Sequence, residues 1–188
     1  MRARLTWRGA TVVLMAIAAP LAALTACDDT VPATLVKPVT LSREHRGYYC
    51  RMIVVDHKGP KGQIHLKNRK PVFFSSVRDT IAFTMLPEEP RQVTAVFVND
   101  MTATDWDSPG QDTWIRARNA FFVIGSSKRG GMGAPEAVPF KTEAAAMSFA
   151  ARHGGKVVRF AEIPRNYILG DSDGVKTRRR NALSKEKK

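Results

Sequence analysis

Apolar and polar positions alternate along this chain in short blocks, and the blocks repeat. Tyr48-Tyr-Cys-Arg-Met-Ile-Val-Val55 is an aromatic and β-branched run that reads as a strand. Asp56 to Gly62 supplies turn residues, and Gln63-Ile-His-Leu-Lys67 alternates apolar and polar side chains, so these pieces predict a hairpin. A further turn at Lys67–Pro71 leads to Val72-Phe-Phe74. Ser76 followed by Asp79 is a capping pattern, and Val77, Ile81, Ala82 and Met85 fall on one helical face until Pro87 and Pro90 stop it. Val93–Val98 is then a strand.

The second half runs in the same order. Ala120–Ile124 reads as a strand, Ser126–Gly133 as a glycine-rich turn, and Ala137–Phe140 leads to Thr142, the expected N-cap of a helix to about Arg152. Gly154-Gly155 ends that helix, and Lys156–Phe160 is the next strand. Phe74 and Phe83 are nine residues apart, as are Phe140 and Phe149. The expectation is an α+β domain, a tandem of two ββαβ units with mainly antiparallel sheet, its halves at about 45–100 and 115–165; chance similarity is the alternative for so faint a repeat.

The ends of the chain differ in kind from this body. Arg2, Arg4 and Arg8 precede an apolar run from Gly9 to Leu24, the order of an export leader over residues 1–26. It closes on Leu24-Thr-Ala-Cys27, which resembles the lipobox of bacterial lipoproteins and makes Cys27 the expected lipidation site. A transmembrane anchor and a plain secretory signal are the competing readings. Residues 27–44, rich in Pro, Thr and Val, are expected to form a tether, and residues 171–188 a disordered basic tail able to meet anionic headgroups.

The formal net charge is +13 over 188 residues. Three of those charges fall in the leader and six in Lys176–Lys188, which leaves four for residues 27–175. With no recognition helix or aromatic–basic motif, nucleic acid is excluded as a partner. No Gly-x-Ser-x-Gly elbow, His-Glu-x-x-His or nucleophile–base pair is present, so the chain is not expected to be an enzyme.

Once Cys27 is lipidated, Cys50 is the only thiol left. It is either a buried small hydrophobe or a ligand. On a strand, Cys50 and Met52 would share a face, with His57 in the turn beyond, and sulfur with imidazole suits Cu(I) rather than Mg, Ca or Mn. Met132, in Lys128-Arg-Gly-Gly-Met-Gly133, is either a loop thioether ligand or a methionine tucked onto the sheet. Pseudo-symmetric packing of the halves would bring it toward Cys50. His65 is expected to face solvent, His45 and His153 to lie off the site, and Trp106 and Trp114 to serve packing or a partner surface, while Asp100-Met101 is a weaker candidate for the border of the site.

Tyr49-Cys-Arg-Met-Ile-Val-Val-Asp-His-Lys-Gly-Pro-Lys-Gly-Gln63, Phe73-Phe-Ser-Ser-Val-Arg-Asp79, Val123-Ile-Gly-Ser126, Gly131-Met-Gly133 and Glu136-Ala-Val-Pro-Phe140 resemble the NosL family, lipoproteins that accompany nitrous oxide reductase. The resemblance spans His45 to about Gly170. It implies a Cu(I) chaperone, lipid-anchored on the periplasmic side of the envelope, that takes copper from an unidentified donor and supplies the copper centres of that enzyme. It also implies a fold of two ββαβ units similar to part of organomercurial lyase. Cys50 and Met132 match the family's cysteine and glycine-loop methionine, and Met52 and His57 fall on motif positions as further ligands. Arg51 is placed to favour the thiolate, and copper affinity should fall with pH because thiolate and neutral imidazole are the binding forms. Two other functions stay open: a metal-free assembly lipoprotein that binds the reductase, and an enzyme akin to organomercurial lyase, whose chemistry needs more than one cysteine.

Overall fold

The structure, a computed structural model, describes residues 36–170. The leader, Cys27, the first part of the tether and the basic tail lie outside the described residues.

Two antiparallel sheets carry the fold. In the first half, β1 (Gly62–Leu66) is flanked by β2 (Val72–Phe74) and β3 (Val93–Asn99), with α1 (Val77–Met85) between the last two in sequence. In the second, β5 (Phe121–Ile124) is flanked by β6 (Val138–Phe140) and β7 (Lys156–Arg159), with α2 (Glu143–His153) in the same place. Each half is thus ββαβ, with its first strand central. The additions are β4 (Trp114–Arg116), a strand the residue pattern did not signal, on the free edge of β3, and a short C-terminal α3 (Arg165–Leu169).

Local chemistry sets the helix boundaries. Ser76 caps α1 by accepting from Asp79 N–H, and Thr142 caps α2 by accepting from Ala145 N–H. Gly154, at φ 72°, ends α2 in a backbone conformation that other residues avoid. Phe74 closes β2 and packs on Phe83 of α1 with ring centroids 5.5 Å apart; Phe140 closes β6 and packs on Phe149 of α2 at 5.0 Å. The nine-residue spacing therefore marks equivalent aromatic pairs.

A third cluster joins the halves. Val77 and Ile81 from α1 meet Val98 of β3, Phe122 and Ile124 of β5, Val158 of β7 and Ile168 of α3. This seam makes the two units one domain. Met101 is buried in the second unit's core, and Asp100 Oδ1 accepts from Lys141 N–H at 3.0 Å, so this pair ties β3 to β6 instead of bordering a site.

Two expectations fail. Tyr48–Val55 is not a strand. Gly47 N–H donates to Met52 O and Arg51 N–H to Gly47 O, Arg51 adopts φ 61°, and the segment closes into a loop with an isolated bridge, Arg46 to Ile53, at its base. A single 3-10 turn, Val54–Asp56, follows. The reason is local: Gly47 is buried with no Cβ, and a Cβ there would come 2.4 Å from Cys50 Sγ, so the thiol folds back over the glycine. The tether is also shorter than expected. Leu41 is buried, Val39 N–H donates to Gln63 Oε1 at 2.8 Å, and Leu41 N–H reaches Gln111 O, so residues from Val39 onward already belong to the packed body. Among the described residues no helix is long and apolar enough to cross a membrane.

Candidate metal centre

Cys50 and Met132 each stand on a small closed loop. The Cys50 loop hangs on β2, since Tyr48 N–H donates to Phe73 O at 2.7 Å. The thiol is partly exposed, with its sulfur 3.5 Å from Ser75 Oγ. The Met132 loop closes by an isolated bridge, Arg129 to Pro135, and by Gly130 N–H to Ala134 O. Its methionine, at the outer turn, is half exposed. Met52 is exposed as well, at 42%. Half-exposed methionines on turns bury little and are poorly explained as packing.

Absent side chains let the second loop sit where it does. A Cβ on Gly131 would fall 2.6 Å from His57 Cβ and 3.0 Å from Lys58 O. A Cβ on Gly130 would fall 2.5 Å from Glu136 Oε2 and 3.5 Å from Ser76 Cβ. The glycine loop therefore rests directly on the His57–Gly59 turn and against Ser76, next in sequence to the serine that touches Cys50. The Cys50 loop and the glycine loop thus both border Ser75-Ser76, and the glycine loop also borders the His57 turn. Pseudo-symmetry is not what joins them. The Cys50 loop precedes β1, whereas the Met132 loop connects β5 and β6, so the two are not equivalent positions. Met52 shares the Cys50 loop but not a strand face with the thiol; its carbonyl is engaged by Gly47.

Two buried ionisable residues underlie these loops, and the residue pattern gave no special weight to either. Lys61 is 2% exposed, and its ammonium donates to the carbonyls of His57 and Gly59, which fixes the turn beneath the glycine loop. Burial lowers its pKa to about 8. Glu136 is 1% exposed; Oε1 accepts from Arg78 N–H at 2.8 Å and Ala137 N–H at 2.9 Å, while Oε2 has no hydrogen-bond partner. Burial raises its pKa to about 8, against the lowering effect of those amides. Both residues lie in the segments that carry the family resemblance. The only further hint is position: Lys61 lies between turn glycines just ahead of β1, and Glu136 just ahead of β6.

Other candidates are placed by packing. Trp106 stacks on Phe149 and lies against Gly59, so it buttresses the turn. His65 is half-buried on the Phe97 ring instead of facing open solvent, and burial lowers its pKa. His45 packs on Phe73, and His153 on Phe149. Among the described residues, no three His, Cys, Asp or Glu side chains gather as a metal cage. Thiol, imidazole and thioether are the donor types that Cys50, His57, Met52 and Met132 carry, and such a set suits a soft ion.

A family model described as NosL matches residues 38–168. The copper-binding lipoprotein NosL of Achromobacter cycloclastes is 45% identical over 156 residues, covering 81% of this chain and 80% of the relative. That of Stutzerimonas stutzeri is 34% identical over 128 residues, 68% of this chain and 66% of its own. The crystal structure of the copper chaperone NosL from Shewanella denitrificans superposes with a TM-score of 0.65 at 35% identity, covering 69% of this chain and 96% of that one.

Proposed function

The chain belongs to the NosL family, and from that membership we propose that it is a copper chaperone whose cargo, Cu(I), is held by Cys50 and Met132 with His57 or Met52 as third ligand, for delivery to nitrous oxide reductase. The observation that supports the site is the seating of the Met132 loop on the His57–Gly59 turn and against Ser76, whose neighbour Ser75 touches the Cys50 sulfur.

The division of labour follows from ligand chemistry. Cys50 binds as thiolate and supplies the anionic anchor, with Ser75 Oγ near enough to donate to it. Met132 supplies a neutral, exchangeable thioether on a loop without side-chain anchorage at Gly130, Gly131 or Gly133. Lys61 orients the backbone that carries His57. Two or three soft ligands at an exposed edge retain Cu(I) against stray thiols yet leave a side open to an incoming ligand. The protein acts as a carrier, without catalysis. As a lipoprotein it is held to the cell envelope through Cys27, the diacylated N-terminus that removal of the leader leaves, with the domain on the periplasmic side.

Titration of Cu(I) into the mature chain against a chromophoric competitor tests the assignment. Cys50→Ser loses tight binding, and Met132→Leu weakens it. The larger loss between His57→Ala and Met52→Leu identifies the third ligand. Undiminished affinity in Cys50→Ser refutes the site. In cells, the same Cys50 variant leaves nitrous oxide reductase short of copper; full maturation of the enzyme by that variant refutes delivery.

A further inference from the structure

A basic trough on the first sheet has no part in the metal centre. Three open surface pockets of about 290, 300 and 320 Å³ lie side by side and share lining residues. The first two share Val93, Val96, Arg118 and Phe160, and the last two share Pro90 and Arg91. Arg116, Arg118, Arg91, Arg69 and Lys67 line it in succession. The one carboxylate along it among the described residues, Glu89, already accepts the hydroxyls of Tyr48 and Tyr49. Arg118, Arg91 and Arg69 against a single engaged carboxylate, above an apolar floor of Val93, Val96 and Phe160, suit a ligand that is anionic at one end and apolar nearby. Guanidinium groups in particular match phosphate oxygens in geometry as well as charge.

The trough also lies where the chain is tethered. Arg116, one of its lining residues, donates from Nη2 to Val36 O at 2.9 Å, and Val36 is the first described residue. Cys27 is nine residues upstream, a span of at most about 30 Å. That lead keeps the Arg116 end of the trough within about 30 Å of the anchor, close enough for this face to reach the bilayer surface. We propose that the trough binds the phosphates of anionic phospholipid headgroups and so docks the tethered domain on its membrane by this face. The inference takes its reach from acylation at Cys27 but its ligand chemistry from the trough alone.

The test uses the mature chain in its non-acylated form, so that failure of the anchor assignment, read separately by mass spectrometry of membrane-extracted protein, does not enter. Co-sedimentation is measured with vesicles of phosphatidylcholine and of phosphatidylcholine mixed with phosphatidylglycerol. A basic side chain near an anionic surface contributes roughly fivefold in affinity, so Arg91→Gln/Arg118→Gln weakens binding to the anionic vesicles about thirtyfold. The control Lys141→Gln/Arg152→Gln removes the same charge from the second half and leaves binding within about threefold; the basic tail is common to all three proteins. Equal losses in both double variants, or none in the trough variant, overturn the proposal. The second outcome leaves the trough to an acidic protein surface. Inorganic phosphate that shifts the trough resonances while vesicle binding is indifferent to the trough substitutions also overturns it, in favour of a soluble phosphate ligand.

Discussion

Replacing Glu136 by glutamine separates the proton linkage of one buried carboxyl from everything else that titrates. Its pKa is 4.5 when unfolded and about 8 in the native protein, because burial disfavours the charge. A raised native pKa means that the folded state holds the proton more tightly, so stability is greatest at low pH and falls as pH rises from about 4.5 to 8. The slope in that window approaches 1.4 kcal/mol per pH unit, which accumulates to about 3 kcal/mol between pH 5 and 8. The amide introduced by Glu136→Gln keeps an oxygen for the Arg78 and Ala137 N–H groups and places an NH2 where the protonated acid has its OH. Wild type and Glu136→Gln should therefore unfold together near pH 5, within about 1 kcal/mol. By pH 8 the variant should be more stable by about 3 kcal/mol, roughly 10 °C in Tm for a domain of this size. Urea or thermal melts of both proteins at matched pH values measure the difference; groups remote from Glu136 cancel in it, whereas Lys61, whose charged form Glu136 favours, contributes near pH 8. Parallel curves across pH 5 to 8 would refute the assignment of a neutral carboxylic acid at this position.

Further outcomes follow from close approaches and from the core. Gly131→Ala pushes the Met132 loop off His57, so Cu(I) affinity should drop in a competitor titration while the melting temperature moves by only a few degrees. Gly62→Ala acts first on the core: its Cβ would lie 1.9 Å from Thr80 Oγ1, so α1 lifts from β1 and stability falls by about 2 kcal/mol or more in urea melts. Phe83→Ala and Phe149→Ala, equivalent in the two units, should each lower stability by about 3–5 kcal/mol. If one cost almost nothing, the structural equivalence of the two aromatic pairs would not extend to energetics.

Most of the fold is legible in the sequence because its signals are local. Ser76 and Thr142 announce their helices, Gly154 ends one, and the paired phenylalanines mark a repeat that the two sheets reproduce. Tyr48–Val55 misleads because aromatic and β-branched composition does not distinguish a strand from a loop whose backbone is bent by a buried glycine and an arginine at positive φ. Trp114–Arg116 escapes notice because three residues on a sheet edge leave too short a pattern. At the candidate centre, residue type and the resemblance pick out Cys50, Met132, His57 and Met52, but the route by which their loops approach is not legible. It depends on Gly130 and Gly131 lacking side chains against His57 and Ser76, and on Lys61 and Glu136 being buried beneath them, which are contacts between residues far apart in the chain.

The seam formed by Ile81, Val98, Phe122 and Val158 has a meaning beyond cohesion. Cys50, Met52 and His57 belong to the first unit and Met132 to the second, so with these ligands neither unit carries a complete chelate. Affinity then depends on the effective concentration at which the seam presents the thioether to the thiolate. A substitution such as Val158→Ala, remote from both sulfurs, would loosen copper before it melts the domain. An acceptor that lifts the glycine loop from the His57–Gly59 turn would dilute one ligand away from the other, and the metal would pass to it as a consequence of movement instead of stronger bonds.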